Sequence, residues 1–177
     1  MKKFIFMILA AFIMISSNCY ATPVRVCDFG ISTFCTSYNK IISDFGKYNQ
    51  LFLNGQVEKV GSNDIWDLYT VPVGQDKGRS FGFYVNKEGY ISSISIVHEK
   101  FGNQKTTLAT LIATLYVVGL NFNEIEYFSN NFDNIMNYQN VYTFIPTLNR
   151  YIRVLYDSPE HYKILTLESF MILAYVD

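Results

Sequence analysis

Few residues in this sequence could act as a general acid or base or as a metal ligand. The two histidines, His98 and His161, lie far apart in the chain, and neither belongs to an HExxH motif or to a pair at ligand spacing. The GxSxG, P-loop and GxGxxG motifs are also absent. We therefore expect no metal, no nucleotide and no other cofactor.

The most reactive-looking pair is His98 with Glu99. It ends an extended segment, with His98 in phase with Ile94 and Ile96. One interpretation is a base at a strand end that faces a cleft. The other, which we favour, is a histidine at the rim of a sheet that bonds to backbone or water.

Paired carboxylates are a second route to hydrolysis, since glycosidases place two of them about 5–10 Å apart. The candidate carboxylates are Asp64, Asp67, Glu99, Glu124 and Glu126. Nothing in the sequence singles out two of them as a pair. We predict no catalytic residue, and a small hydrolase stays as an alternative.

Residues 1–21 have the composition of a cleavable signal peptide. Two lysines precede an apolar run of 12 residues, Phe4 to Ile15, which is shorter than the roughly 20 residues of a membrane span. Small residues near Ala21 predict cleavage before Thr22. A lipoprotein cut before Cys19 is the alternative, but its flanking residues do not suit lipidation. We expect a periplasmic or secreted protein without stable membrane insertion.

Cleavage would leave Cys27 and Cys35. An even pair of cysteines in an exported protein typically forms a disulfide, which here would stabilise the fold by about 2.5 kcal/mol. The seven intervening residues do not match a redox motif. We predict a structural disulfide, with two free thiols as the alternative.

The composition indicates one folded domain over residues 22–177. Apolar residues make up 50% of the chain, which is enough for a full core. The net charge is −1 and no block of like charges occurs, which argues against a nucleic-acid partner.

Hydrophobic periodicity divides this domain into extended and helical segments. Alternation and β-branched residues predict strands near 56–60, 64–73, 81–85, 90–97, 141–145, 151–156 and 162–175. Helical spacing predicts helices near 36–46, from Asn103 to Gly119 and from Asn121 to about Tyr138. This order predicts an α+β fold, in which an antiparallel sheet of about five or six strands carries two or three helices on one face.

With no catalytic set, binding is the function that the sequence favours. The acidic, asparagine-rich segment 121–140 is the candidate surface, and the candidate contact residues are Glu124, Glu126, Asp133, Tyr127 and Trp66. Tyrosine and tryptophan are typical of protein interfaces. The expected partner is another protein, as for an immunity or inhibitor protein directed against a secreted toxin.

Two other binding functions remain open. A carrier of a small apolar ligand would enclose a pocket between helices and sheet, lined by Phe81, Phe83, Leu111 and Leu115. A glycan binder would use Trp66 and neighbouring tyrosines as stacking platforms.

Overall fold

Eight strands and four helices are formed by the residues that this computed structural model describes, which are 22–74, 79–99, 104–157 and 162–171. The strands are β1 (Thr22–Val24), β2 (Glu58–Ser62), β3 (Trp66–Pro72), β4 (Arg79–Asn86), β5 (Ile91–Glu99), β6 (Val141–Ile145), β7 (Arg150–Asp157) and β8 (Tyr162–Met171). The helices are α1 (Ile31–Asp44), α2 (Gln104–Val118), α3 (Phe122–Asn130) and α4 (Phe132–Met136).

The strands form one antiparallel sheet in the order β2-β3-β4-β5-β8-β7-β6, and β1 pairs with the end of β8. The α+β class predicted from the sequence is confirmed. The predicted count of five or six strands is wrong, because seven strands lie along the main path. Each of the seven segments predicted as extended corresponds to one of these seven strands, and the three-residue β1 was not predicted.

The main core lies between the sheet and the helices. Buried residues of all four helices belong to one cluster with the inward residues of the strands, such as Phe81, Ile96 and Val154. Helix α2 also buries threonines. Their hydroxyls have hydrogen-bond partners, since Thr110 and Thr114 each donate a 2.8 Å bond to the carbonyl four residues earlier. The helices therefore pack on one face of the sheet, as predicted.

Helix boundaries differ from the sequence prediction in two places. Helix α1 begins at Ile31, well before the predicted start near residue 36. The single helix predicted from Asn121 to Tyr138 is two helices that break at Asn131, whose side-chain amide donates a 2.8 Å hydrogen bond to Tyr127 O. The predicted end of α2 is confirmed, since Gly119 follows it with a φ of 103°, which glycine adopts without strain.

The opposite face of the sheet has a smaller apolar cluster. Its buried members are Leu68, Tyr84, Val97 and Ile164, with Val60 and Trp66 packed against them. All of these residues come from strands. Among the described helices, none is long and apolar enough to cross a membrane.

Candidate functional site

The segment that follows α2 is held in place by a capping box. The Asn121 side chain accepts a hydrogen bond from Glu124 N–H at 3.1 Å, and a Glu124 carboxylate oxygen accepts one from Asn121 N–H at 2.8 Å. Together these bonds satisfy two N–H groups that a helix start leaves without intrahelical partners, so they fix where α3 begins.

Glu124 also ties α3 to the turn between β6 and β7. The Thr147 hydroxyl lies 3.3 Å from one Glu124 carboxylate oxygen and 3.4 Å from the other. Glu124 is half-buried, whereas the sequence analysis expected it to be exposed for a partner. Its carboxylate is engaged in positioning α3, so its role in this structure is architectural.

Tyr127 connects α3 to the edge of the sheet. Its hydroxyl donates a 3.2 Å hydrogen bond to Tyr142 O on β6, while the neighbouring Phe128 and Ile125 are buried in the core. The Tyr127 side chain itself remains 40% exposed. This contact joins the outer side of α3 to strand β6.

Strand β6 exposes two aromatic side chains on the sheet face away from the helices. Phe144 packs edge-on against Tyr151 of β7 with ring centroids 5.3 Å apart, and Tyr142 lies 6.5 Å from the same ring. Thr143 and the buried Val141 and Ile145 alternate with them on the helix side. The alternation therefore places an aromatic pair on the outer face of β6.

Exposed aromatic residues are concentrated in this part of the molecule. The large hydrophobic residues that are exposed in the described chain are Val57, Ile65, Tyr116, Phe122, Tyr127, Tyr138, Tyr142 and Phe144. Five of these eight lie between residues 122 and 144. Scattered exposed apolar residues are normal, but their concentration in one segment of the chain makes this segment a candidate interaction surface. The segment reaches both faces of the sheet, with α3 on one face and the Tyr142 and Phe144 side chains on the other.

The same segment is acidic. Glu126 and Asp133 are exposed on α3 and α4, and the sequence contains no lysine, arginine or histidine between Lys105 and Arg150. We call the exposed residues of this segment the acidic–aromatic surface: Phe122, Glu126, Tyr127, Asp133, Tyr138, Tyr142 and Phe144. It combines negative charge with aromatic rings that are exposed to solvent.

Trp66 does not belong to this surface. It packs edge-on against Tyr84, with ring centroids 4.6 Å apart, in the small cluster on the sheet face away from the helices. Tyr142 and Phe144 lie on the same face but near the other edge of the sheet. Five strand spacings separate β3 from β6, which corresponds to roughly 24 Å. The structure thus separates Trp66 from the other candidate residues, Glu126, Tyr127 and Asp133, which it places on neighbouring elements.

The carboxylate of Asp67, the residue after Trp66, is paired with two lysines. The Asp67 carboxylate lies 2.7 Å from Lys87 Nζ and 3.0 Å from Lys59 Nζ, and it accepts a hydrogen bond from the Ser62 hydroxyl at 2.5 Å. The Lys87 ammonium, together with Ser62 and Lys59, holds the pKa of Asp67 well below its ordinary value. The Asp67 carboxylate is therefore already occupied by partners within the chain.

The described carboxylates considered for catalysis are divided between the two ends of the sheet. Asp67 and Glu124 lie at opposite ends of the sheet. His98 and Glu99 end β5, where the backbone alone is described, and His161 falls outside the described residues. Among the described side chains, no three from histidine, cysteine, aspartate and glutamate lie close enough to hold a metal ion.

The residues proposed to line a ligand pocket are part of the core. Phe81, Phe83, Leu111 and Leu115 are fully buried. Phe34 of α1 fills the space against the two phenylalanines, with ring centroids 5.9 Å from Phe81 and 5.1 Å from Phe83. These side chains therefore contact one another and serve packing.

The predicted disulfide is not present in the structure, in which Cys27 and Cys35 are free cysteines. Cys27 is held in the core beside β5, where its N–H donates a 3.2 Å hydrogen bond to Ile91 O. Cys35 lies inside α1, so part of the segment between the two cysteines is helical. Burial raises the pKa of Cys27 to about 12 and that of Cys35 to about 11.

Both thiols should accordingly be protonated and unreactive at neutral pH. We expect iodoacetamide to label neither cysteine quickly in the native protein and to label both in urea without reductant, as read by mass spectrometry. If labelling in urea required prior reduction, the bridge predicted from the sequence would be correct instead.

Several residues of the acidic–aromatic surface were missed by sequence reasoning, chiefly Phe122, Tyr138, Tyr142 and Phe144 as contact residues. Two signals in the sequence point to them: aromatic residues at alternate positions of a short strand, and the long interval without a basic residue. In comparisons with protein-family models, curated proteins and solved structures, nothing matches this chain.

Proposed function

We propose that this chain is a small binding protein whose partner is another protein, contacted through the acidic–aromatic surface. The observation that carries the proposal is that, in the described part of the chain, five of the eight exposed large hydrophobic residues lie within residues 122–144, as do the exposed carboxylates Glu126 and Asp133. Aromatic residues are enriched in the centres of protein interfaces, where they supply most of the binding energy.

The charge of this surface favours a particular partner. Glu126 and Asp133 are exposed, and Arg153, which faces Tyr142 from β7, is already paired with Glu168, so the surface repels phosphate and attracts lysine and arginine. Charge complementarity of this kind speeds association and excludes partners of the wrong sign. A protein with a basic patch fits these requirements.

In its most specific form, the proposal is an immunity or inhibitor protein that blocks a secreted toxin. The mature chain would then act in the periplasm or outside the cell, after removal of residues 1–21. Support comes from the signal-like composition of the N-terminal segment and from the acidic, aromatic character of the surface. A toxin that acts on nucleic acid or on an anionic membrane would offer the basic surface that this proposal requires.

Site-specific photo-cross-linking tests the proposal. A benzophenone amino acid is placed at Phe122 in one variant and, as the matched control, at Ile65 in another, because both side chains are highly exposed, at 67% and 73%. After irradiation of cells that produce the chain naturally, we expect one discrete protein adduct from position 122 and none from position 65.

An adduct from position 65 with none from 122 would move the binding surface to the β2–β3 end of the sheet. No adduct from either position, at normal levels of the variant, would contradict a protein partner. Identification of the adduct by mass spectrometry then distinguishes a toxin from another protein.

A further inference from the structure

The last strand of the sheet, β6, directs backbone hydrogen-bonding groups away from the protein. In an antiparallel pair, alternate residues turn both N–H and C=O toward the neighbouring strand, and the residues between them turn both groups outward. The last pair, Ile145 with Arg150, must bond directly, because the alternative pattern would need an N–H that Pro146 lacks, and Tyr142 is therefore an outward residue. The register with β7 runs without a shift, so Phe144 is an outward residue as well.

The two edges of the sheet are built differently. Edge strand β2 carries Glu58 and Lys59, and its register with β3 shifts between Lys59 and Gly61. Charges and irregularities of this kind prevent another strand from pairing with an edge. Strand β6 carries no charge and its pairing with β7 shows no irregularity, so its outer edge lacks these two protections.

We propose that the protein partner binds by adding an extended, lysine- or arginine-bearing segment to the edge of β6 as a further strand. This inference rests on the proposed function and specifies how the partner is recognised. Main-chain hydrogen bonds to Tyr142 and Phe144 supply affinity in this mode, and side chains at alternate positions supply specificity.

The charges on the neighbouring helices favour a segment that carries lysine or arginine. Glu126 and Asp133 are exposed on α3 and α4, and α3 lies against β6 through the Tyr127 contact. Cationic side chains of an added strand would be attracted by these carboxylates. On the outer face they would also reach the rings of Tyr142 and Phe144, where a cation over an aromatic ring is favoured.

A second copy of this chain is the rival occupant. Two β6 strands could pair antiparallel about Thr143, which would place Tyr142 opposite Phe144 of the other copy. However, this arrangement brings the acidic helices of both copies to one interface, and the segment 106–149 holds no basic residue to pair with them. Like charges at an interface disfavour such a dimer.

The Tyr127 hydroxyl does not prevent strand addition. A carbonyl oxygen has two lone pairs, so Tyr142 O can accept a bond from an added strand while it keeps the bond from Tyr127. The Tyr127 side chain is also partly exposed and can turn toward solvent. Strand addition therefore requires no rearrangement of the sheet.

Amide hydrogen exchange with a defined peptide tests the inference. The probe is an acetylated, amidated decapeptide of alternating lysine and threonine, added in millimolar excess to the ¹⁵N-labelled protein and followed by NMR. We expect exchange of the Tyr142 and Phe144 amides to slow at least tenfold. Two control peptides should leave both rates unchanged: one with glutamate in place of lysine, and one with N-methylated amides at alternate positions.

The possible results separate strand addition from the more general proposal. Binding of the lysine peptide at β6 without slower exchange, or equal protection by the N-methylated peptide, would overturn strand addition, while the cross-linking test of a protein partner would stand. Absence of binding, or protection by the glutamate peptide, would overturn the cationic strand. Protection that rises with protein concentration alone would show self-pairing and would also overturn it.

Discussion

Replacement of Phe34 by alanine lowers the free energy of unfolding by about 3–5 kcal/mol, the range for loss of a fully buried phenylalanine. The Phe34 ring stacks on Tyr38 within α1 and contacts Phe81 and Phe83 of β4, so its removal leaves a cavity where the helix meets the centre of the sheet. Urea unfolding followed by circular dichroism measures the change as a lower midpoint with an unaltered slope.

Phe122→Ala is the matched control for this prediction. The Phe122 side chain is 67% exposed, so the same truncation should change the free energy of unfolding by less than about 0.5 kcal/mol. Equal losses for the two variants would contradict the assignment of Phe34 to the core and of Phe122 to the surface.

Replacement of Phe144 by alanine weakens binding of the protein partner by about 30-fold or more, which corresponds to the 2 kcal/mol that defines an interface hot spot. Phe144 lies on the outer face of edge strand β6 and packs against Tyr151, so its ring is held ready for contact at little cost in conformational entropy. Isothermal titration with the partner identified by cross-linking measures the affinity.

Ile65→Ala controls for a general loss of exposed apolar area. Ile65 is more exposed than Phe144 but lies just before β3, at the other end of the sheet, and its truncation should change the affinity less than twofold. A larger loss of affinity for Ile65→Ala than for Phe144→Ala would place the interface at the β2–β3 end of the sheet and would contradict this prediction. Circular dichroism of both variants establishes that each remains folded.

Local sequence patterns predicted much of the fold because they reflect contacts within one element or one hairpin. The stripe of Leu111 and Leu115 placed α2, the alternation of Phe81 and Phe83 placed β4, and Asn121 with Glu124 placed the start of α3. Each of these signals involves residues only a few positions apart.

Pairing between distant segments was not predictable in the same way. Strands β5 and β8 meet at the centre of the sheet, where the Ser95 and Thr166 hydroxyls lie 3.3 Å apart although 71 positions separate the two residues. No local pattern fixes such a partner.

The break at Asn131 was missed because the helical spacing of apolar residues continues across it, from Phe128 to Phe132 and Ile135.

The candidate site was predicted in part. Charge and composition pointed to Glu126, Tyr127 and Asp133, which the structure leaves exposed on adjacent helices. Trp66 was included for its residue type alone, and the sheet order separates it from them. The engagement of Glu124 depends on Thr147, 23 positions away, which only the folded chain brings close.

The central claim is that the acidic–aromatic surface is where a protein partner binds, and mapping of NMR shift changes tests it most directly. The ¹⁵N-labelled chain is titrated with the purified partner, and amide shifts are followed residue by residue. The account predicts changes concentrated in α3, α4 and β6. Changes concentrated around Trp66 and the β2–β3 edge, with β6 unaffected, would contradict it.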